Sequence, residues 1–266
     1  GKLEESELYL RKALALKSNC SNTHTHLGGV LNDNCKLEES EFHLRKAIEL
    51  QPNKYEYRFH LSQLLLKCKK FEEAWQEYEW RWHTKVFTGK RLETSKPEWK
   101  PGVSGSVLLW GEQGIGDQIM FLTMVPDFLD QVDHLIVKVD KRLIPLLERS
   151  FCAEIKFIDQ EQYINESDYD YQIAMGSLPR YLRNSVKSFQ SAKKFKLKFD
   201  QERSELLRSK LLGDGYEKIV GISWKSSNRI FDSNLLLDKF IIGIYRPKIR
   251  FVCLQYGDVS DEIKDV

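Results

Sequence analysis

The chain has 266 residues, enough for one large or two modest domains with substantial apolar cores. Lys plus Arg number 41 and Asp plus Glu 39, a formal charge of +2, which argues against nucleic acid as the main partner. The five cysteines are scattered without a C-x-x-C pair, no apolar run has the ~18 residues of a membrane span, and no secretory signal is visible. A reduced cytoplasmic protein with mostly buried thiols is expected, without disulfide frame, zinc site or membrane span.

Residues 2–16 (KLEESELYLRKALAL) realign on residues 36–50 (KLEESEFHLRKAIEL) with a shift of 34, and 11 of the 15 positions are identical. The same shift carries Leu37-Glu38-Glu39-Ser40 onto Phe71-Glu72-Glu73-Ala74. Small residues (Ser6, Ser40, Ala74) recur where two helices approach closely, and Leu10, Leu44 and Tyr78 recur four positions later on the same face. Period and pattern resemble tetratricopeptide repeats. Helices are predicted at 3–17, 21–33, 37–50, 54–67 and 71–83, with Pro52 breaking the chain between units. Such repeats form a groove for a protein partner or acceptor, or simply a module packed on the next domain. His24 and His26, two apart on a helix, make a poor metal pair; with His43 and His60 they read as surface or packing residues.

Residues 85–105 have linker composition, including Gly89, Pro97, Pro101-Gly102 and Ser104-Gly105. Trp80, Trp82 and Trp99 bracket this stretch and are expected to dock the last repeat helix on the second domain. From residue 106 strands and helices alternate. Strands are predicted at 106–111, 134–139, 154–158 and 170–174, and helices at 117–130, 141–149 and 178–183, an order that implies a parallel sheet covered on both sides. Residues 193–198 (KKFKLK) read as a solvated edge or as a phosphate- or lipid-binding strip. A helix is expected at 201–212. Residues 218–228 then repeat the device of strand, small polar loop and cation, and a strand comes next at 250–254, so a second sheet begins.

The stretch Gly111-Glu112-Gln113-Gly114-Ile115-Gly116-Asp117 joins an apolar strand to an amphipathic helix. Glycines there admit a close ligand, and the helix N–H groups face the strand's carboxyl end. A Walker loop is excluded, since the stretch carries no G-K-[ST]. A dinucleotide fingerprint gains from Gly114-x-Gly116 and from Asp140 about twenty residues on, but Ile119 fills the third glycine position and Asp117 would oppose a pyrophosphate. Glycosyl transfer fits better. An acceptor hydroxyl needs a base, for which Asp117 at the positive helix end is suited, and a departing diphosphate needs cations and N–H groups, for which Lys225, Ser226, Ser227 and Asn228 are suited. The two groups are expected to face each other over a crevice. Asp117 as a plain N-cap is the competing reading.

Six segments together resemble bacterial tetratricopeptide-repeat glycosyltransferase-like proteins: Tyr78-Glu79-Trp80-Arg81-Trp82, GEQGIGDQIMF at 111–121, RLIPL at 142–146 with Arg149-Ser150-Phe151, MGSLP at 175–179, GISWKS at 221–226 and LQYGD at 254–258. Those proteins are similar to protein O-GlcNAc transferases, with a heptosyltransferase-like catalytic half. The resemblance implies an α region of helical repeats (1–84), a linker (85–105), and an α/β region of GT-B type. The latter comprises one Rossmann-like half (106–212) and the start of a second, donor-binding half (213–266).

It further implies a glycosyltransferase that needs no metal or cofactor, with a UDP- or similar nucleotide sugar as donor and a protein or glycan acceptor. Asp117 falls on the base, Lys225 on the donor diphosphate, Gln255 on the donor side, and Glu112, Gln113, Gly114 and Gly116 on the glycine loop. Gly176-Ser177-Leu178 would shape the acceptor side or be a plain turn. The family's second half continues with a strand and a glycine- and histidine-containing loop absent here, and residues 229–248 read without the expected helix. A C-terminally truncated fragment is therefore expected. The alternative function is a non-catalytic scaffold whose repeats recruit a partner.

Overall fold

The computed structural model of the chain describes residues 1–151, 155–213, 215–225 and 237–264. They pack as two compact units, Gly1–Lys198 and Phe199–Val266.

The first unit begins with five helices, α1 (Lys2–Leu16), α2 (Ser21–Asp33), α3 (Leu37–Leu50), α4 (Tyr55–Lys67) and α5 (Phe71–Tyr78), each packed on its neighbour in sequence. The helical repeats of the tetratricopeptide type are formed as the 34-residue period predicts. The period extends to the turns. Cys35 and Lys69, 34 apart, both take positive φ (59° and 58°), and each turn closes with a hydrogen bond back to the helix, Lys36 N to Leu31 O (2.8 Å) and Lys70 N to Leu65 O (2.9 Å). Between α2 and α3, Ser40 Oγ donates to Gly28 O at 2.6 Å, and a Cβ on Gly28 would lie 2.9 Å from Leu44. Close approach is why small residues recur there. His24 and His43 are buried against each other, Nδ1 to Nδ1 at 2.8 Å, as packing residues. The four described cysteines are free, but none is buried, contrary to expectation. Cys35 sits in an exposed turn whose geometry rather than hydrophobicity chose the site.

A 3₁₀ turn, Glu79–His83, ends the repeats five residues beyond α5. Four parallel strands come next: β1 (Ser106–Trp110), β2 (His134–Val139), β3 (Ile155–Asp159) and β4 (Tyr171–Ala174), in the order β3-β2-β1-β4. Leu108 pairs with Ile136 and Leu109 with Ile173. Between strands lie α6 (Ile115–Leu122), α7 (Val125–Phe128) and α8 (Ile144–Ser150), and beyond β4 come α9 (Pro179–Leu182) and α10 (Val186–Gln190). This is a Rossmann-like α/β region. The linker is not free: Trp99 N donates to Gln172 O (2.8 Å) and Gln172 N to Pro97 O (3.0 Å), so residues 97–99 extend the sheet beyond β4.

One sheet face (Val107, Leu109, Val137, Ile173) shares a core with Phe121, Val125, Phe128 and Leu147 from the helices and with Trp75 and Tyr78 of α5. The last repeat helix and the sheet therefore share a core, while Leu44, Leu61, Leu64, Leu65 and Ala74 form a separate one within the repeats. Trp99 is fully buried against Phe128 and Tyr181, and Trp75 Nε1 donates to Arg183 O at 2.8 Å. The opposite face (Leu108, Trp110, Ile136, Ile158, Ala174) differs from the expected helical cover. It is covered by Trp82, by Leu92 of the linker and by Ile164 and Tyr169 of the β3–β4 connection. In 193–198 the alternation turns Phe195 onto Phe151, with ring centroids 4.7 Å apart, and Leu197 onto the core.

The second unit holds α11 (Gln201–Leu212), β5 (Lys218–Ile222), α12 (Leu237–Ile244), β6 (Ile249–Cys253) and α13 (Ser260–Lys264), with β5 and β6 parallel and Val220 opposite Phe251. Helix α11 packs against β5. The expectation that 229–248 lacks a helix is corrected by α12. Leu237, Phe240, Ile241 and Ile244 recur at helical spacing and pack with Ile222, Trp224 and Val259. Gly243 obscures this amphipathic stripe in the sequence.

Candidate functional site

Parallel strands deliver their connecting loops to one edge, and ligands of open α/β sheets bind outside the carboxyl ends where the strand order reverses. Here that point lies between β1 and β4. The loops after these two strands carry Gly111-Glu112-Gln113-Gly114 and Met175-Gly176-Ser177.

The bottom of this crevice is filled by the chain itself. Arg81, from the turn that ends the repeats, is fully buried; its Nη1 donates to Glu79 Oε1 (2.7 Å), and its Nη2 to Ser177 Oγ (2.8 Å) and Glu112 Oε1 (3.2 Å). Ser177 Oγ donates to Glu79 Oε2 (3.0 Å), and Gly176 N donates to Glu112 Oε1 (3.0 Å). The guanidinium lies over the rings of Trp82 (4.3 Å) and Tyr78 (4.6 Å). A Cβ at Gly176 would stand 2.2 Å from Glu112 Oε1, so this close approach requires glycine. Burial raises the Glu112 carboxyl above the usual range, opposed by Arg81 and the Gly176 N–H. Glu112, expected to line a ligand loop, is directed into this network instead. Ser177 is likewise engaged rather than open.

A second set of contacts fixes the loops. Gln118 is buried; its Nε2 donates to Gln113 O (2.9 Å) and to Gln160 Oε1 (3.2 Å), while its Oε1 accepts from Asp140 N (2.9 Å). One amide thereby ties together the loops after β1, β2 and β3. Gly111 makes room for it, since a Cβ there would lie 2.8 Å from the Gln118 side chain. Replacing Gln118 by leucine is expected to strand the Asp140 N–H and the Gln113 carbonyl, at about 1–3 kcal/mol each. Urea unfolding followed by tryptophan fluorescence checks this, and an unchanged midpoint contradicts it.

Asp117 occupies the third position of α6, behind Gly114 as N-cap, and is half-buried. It is therefore not the N-cap of the competing reading. Among the described residues no hydrogen bond or ion pair engages its carboxylate. Its charge is felt by the Tyr78 phenol, which burial chiefly raises and which hydrogen-bonds Gln113. Gly114 and Gly116 have no positive φ, and a Cβ on Gly116 would meet nothing within 4 Å. The loop above α6 is open, without being strained. Asp140 is held down at about 2 by Arg142, which bonds both its oxygens. That engagement leaves it ill placed for a ribose.

In the second unit, Gln255 closes the β5 loop: its Oε1 accepts from Ser223 Oγ, Trp224 N and Lys225 N, each at 3.0 Å, and its Nε2 donates to Lys225 O (3.0 Å). Lys225 Nζ is paired with Glu262, whose other oxygen accepts from Trp224 Nε1 (2.8 Å). Ser226, Ser227 and Asn228 lie outside the described residues. No group of His, Cys, Asp and Glu among the described residues could hold a metal. No helix among them is long and apolar enough to cross a membrane.

Arg81 and Gln118, which the motif segments contain without a role, and the half-buried Lys138, which no motif contains, are further residues of the site. Their signals are faint: an arginine between two tryptophans, a polar residue on the buried side of α6, and one cation inside the apolar run HLIVKV.

Fold and site thus define a helical-repeat protein fused to a Rossmann-like α/β region with a carboxylate in the first turn of α6. No protein-family model matches the chain. In an alignment of 220 positions that covers 75% of the chain, it is 28% identical to Protein FlbA of Caulobacter vibrioides, of which the chain spans 37%. Among solved structures it is similar to a mutant Thermobaculum terrenum O-GlcNAc transferase, with 12% identity and a TM-score of 0.30, covering 97% of this chain and 66% of that one.

Proposed function

We propose that the chain is part of a cytoplasmic glycosyltransferase that moves a sugar from a nucleotide sugar, of UDP type or similar, to a hydroxyl on a protein or glycan. The observation that carries this reading is the unpartnered carboxylate of Asp117 at the amino end of α6, outside the carboxyl end of β1. A general base must reach an acceptor proton without being spent on an internal partner, and Asp117 meets that condition. Open space over Gly116 leaves room for the acceptor. The repeat groove, a cavity of about 700 Å³ lined by Tyr9, His26, Gly29 and His60, would hold a protein acceptor or partner.

Lys225 and Gln255 are the donor-side residues of this proposal. A diphosphate at Lys225 must displace Glu262. Glu262→Gln keeps an oxygen for Trp224 and frees the ammonium, so UDP affinity by calorimetry is expected to rise several-fold, whereas Lys225→Ala should weaken it. Indifference to both substitutions removes Lys225 from the site. The same ion pair favours the second reading, a non-catalytic scaffold with a glycosyltransferase-like platform. Release of nucleoside diphosphate from a panel of UDP-sugars by the full-length protein, with Asp117→Asn as comparison, separates the two. A scaffold shows no Asp117-dependent release.

A further inference from the structure

We propose that the cleft at the carboxyl ends of β1, β2 and β3 is a binding site for a small polyhydroxylated acid, whose carboxylate or phosphate rests on Lys138. This goes beyond sugar transfer and does not depend on Asp117.

Lys138 stands one residue before the end of β2, opposite Trp110 of β1 and Ile158 of β3. Alternation along β2 places it on the side of Ile136, the sheet face covered by linker and loop rather than by helices. There it lines a cavity of about 440 Å³ roofed by residues 88–93, with Lys90 and Arg91 at the mouth. That volume is in the range of small-molecule sites. Among the described residues no carboxylate pairs with Lys138, Lys90 or Arg91.

A lysine that lines a cavity without an ion-pair partner leaves its charge available to a ligand anion. The other charges are distributed to suit such a ligand. Glu112 contributes to the lining, but its carboxylate is held by Arg81 and the Gly176 N–H. Glu93 and Glu161 are exposed at the rim, where they can accept hydrogen bonds from hydroxyl groups. Gln160 adds an amide, already oriented by Gln118. The cleft therefore offers a cation within and hydroxyl acceptors around it, on loops that Gln118 holds in place.

Calorimetry on the intact chain tests this with glucuronate and glucose 6-phosphate as probes and glucose as the neutral control. Either acid should bind at millimolar concentration, glucose at least about tenfold more weakly, and Lys138→Gln should lose roughly 10- to 100-fold in acid affinity while Lys138→Arg retains it. Preference for one acid identifies carboxylate or phosphate as the group recognised. Asp117→Asn should leave these affinities unchanged, so a failure of the transfer reading and a failure of this one are distinguishable. Equal binding of glucose, binding of neither acid, or an unaltered Lys138→Gln variant overturns the proposal. If Lys138→Gln does not fold, the exposed pair Lys90→Gln and Arg91→Gln carries the test, and acid affinity unchanged in that double variant overturns it as well.

Discussion

Replacing Arg81 by methionine is expected to cost about 3–5 kcal/mol of stability at neutral pH, because it leaves the buried Glu112 carboxylate, and the partly exposed Glu79, without their cation. Arg81 is fully buried and the Glu112 side chain is 1% exposed, so water cannot substitute for the lost partner. After the change Glu112 keeps only the Gly176 N–H, and Glu79 keeps Ser177 and the more distant Arg180. The loss should depend on pH. Burial already raises the Glu112 pKa, and Arg81 is the largest influence opposing that rise. In the variant the folded state therefore holds a proton that the unfolded chain gives up near its ordinary value of about 4.3. With more protons bound in the folded than in the unfolded state, stability falls as pH rises from that value through the folded-state pKa. The deficit is thus larger at pH 7 than at low pH and shrinks as pH is lowered towards the unfolded value. Adding Glu112→Gln should restore part of the loss at pH 7, a non-additivity of at least about 1 kcal/mol. Urea unfolding at several pH values checks both. A deficit constant with pH and without rescue would mean that Arg81 acts through packing alone.

Asp117→Asn should behave in the opposite way, with little effect on the fold and a large effect on rate. The side chain is half-buried and unpartnered, and its main structural contribution is its charge near the amino end of α6, worth about 0.3–1 kcal/mol. If its carboxylate accepts the acceptor proton, transfer by the full-length protein falls by roughly 10²- to 10⁴-fold. The loss should appear in kcat with KM nearly unchanged, since the interaction forms as the proton moves. A rate within about threefold of the wild type excludes Asp117 as base. The pairing of these two variants is informative: Arg81, which reaches Glu112 from the turn after the repeats, is expected to act through the fold, and Asp117, as proposed, through chemistry.

Local signals explain what could be read from the chain alone. The 34-residue period specifies α1 to α5 because repeated small and large residues encode the same helix contacts twice, down to the turns at Cys35 and Lys69. Short apolar runs ending at glycine or aspartate placed β1 to β4 within a residue of their observed bounds, because backbone pairing and burial there depend on the run itself. The carboxylate of Asp117 at a helix start was legible for the same reason.

What each polar side chain meets was decided only by tertiary structure. Arg81 is 31 residues from Glu112 and 96 from Ser177, Gln118 is 42 from Gln160, and Lys225 is 37 from Glu262. Nothing in the glycine loop announces that Glu112 turns inward to an arginine delivered by the repeats while Asp117, five positions on, is left without a partner. Hydrophobic spacing records which face of an element is buried; it carries no record of which charge from a distant segment will arrive there.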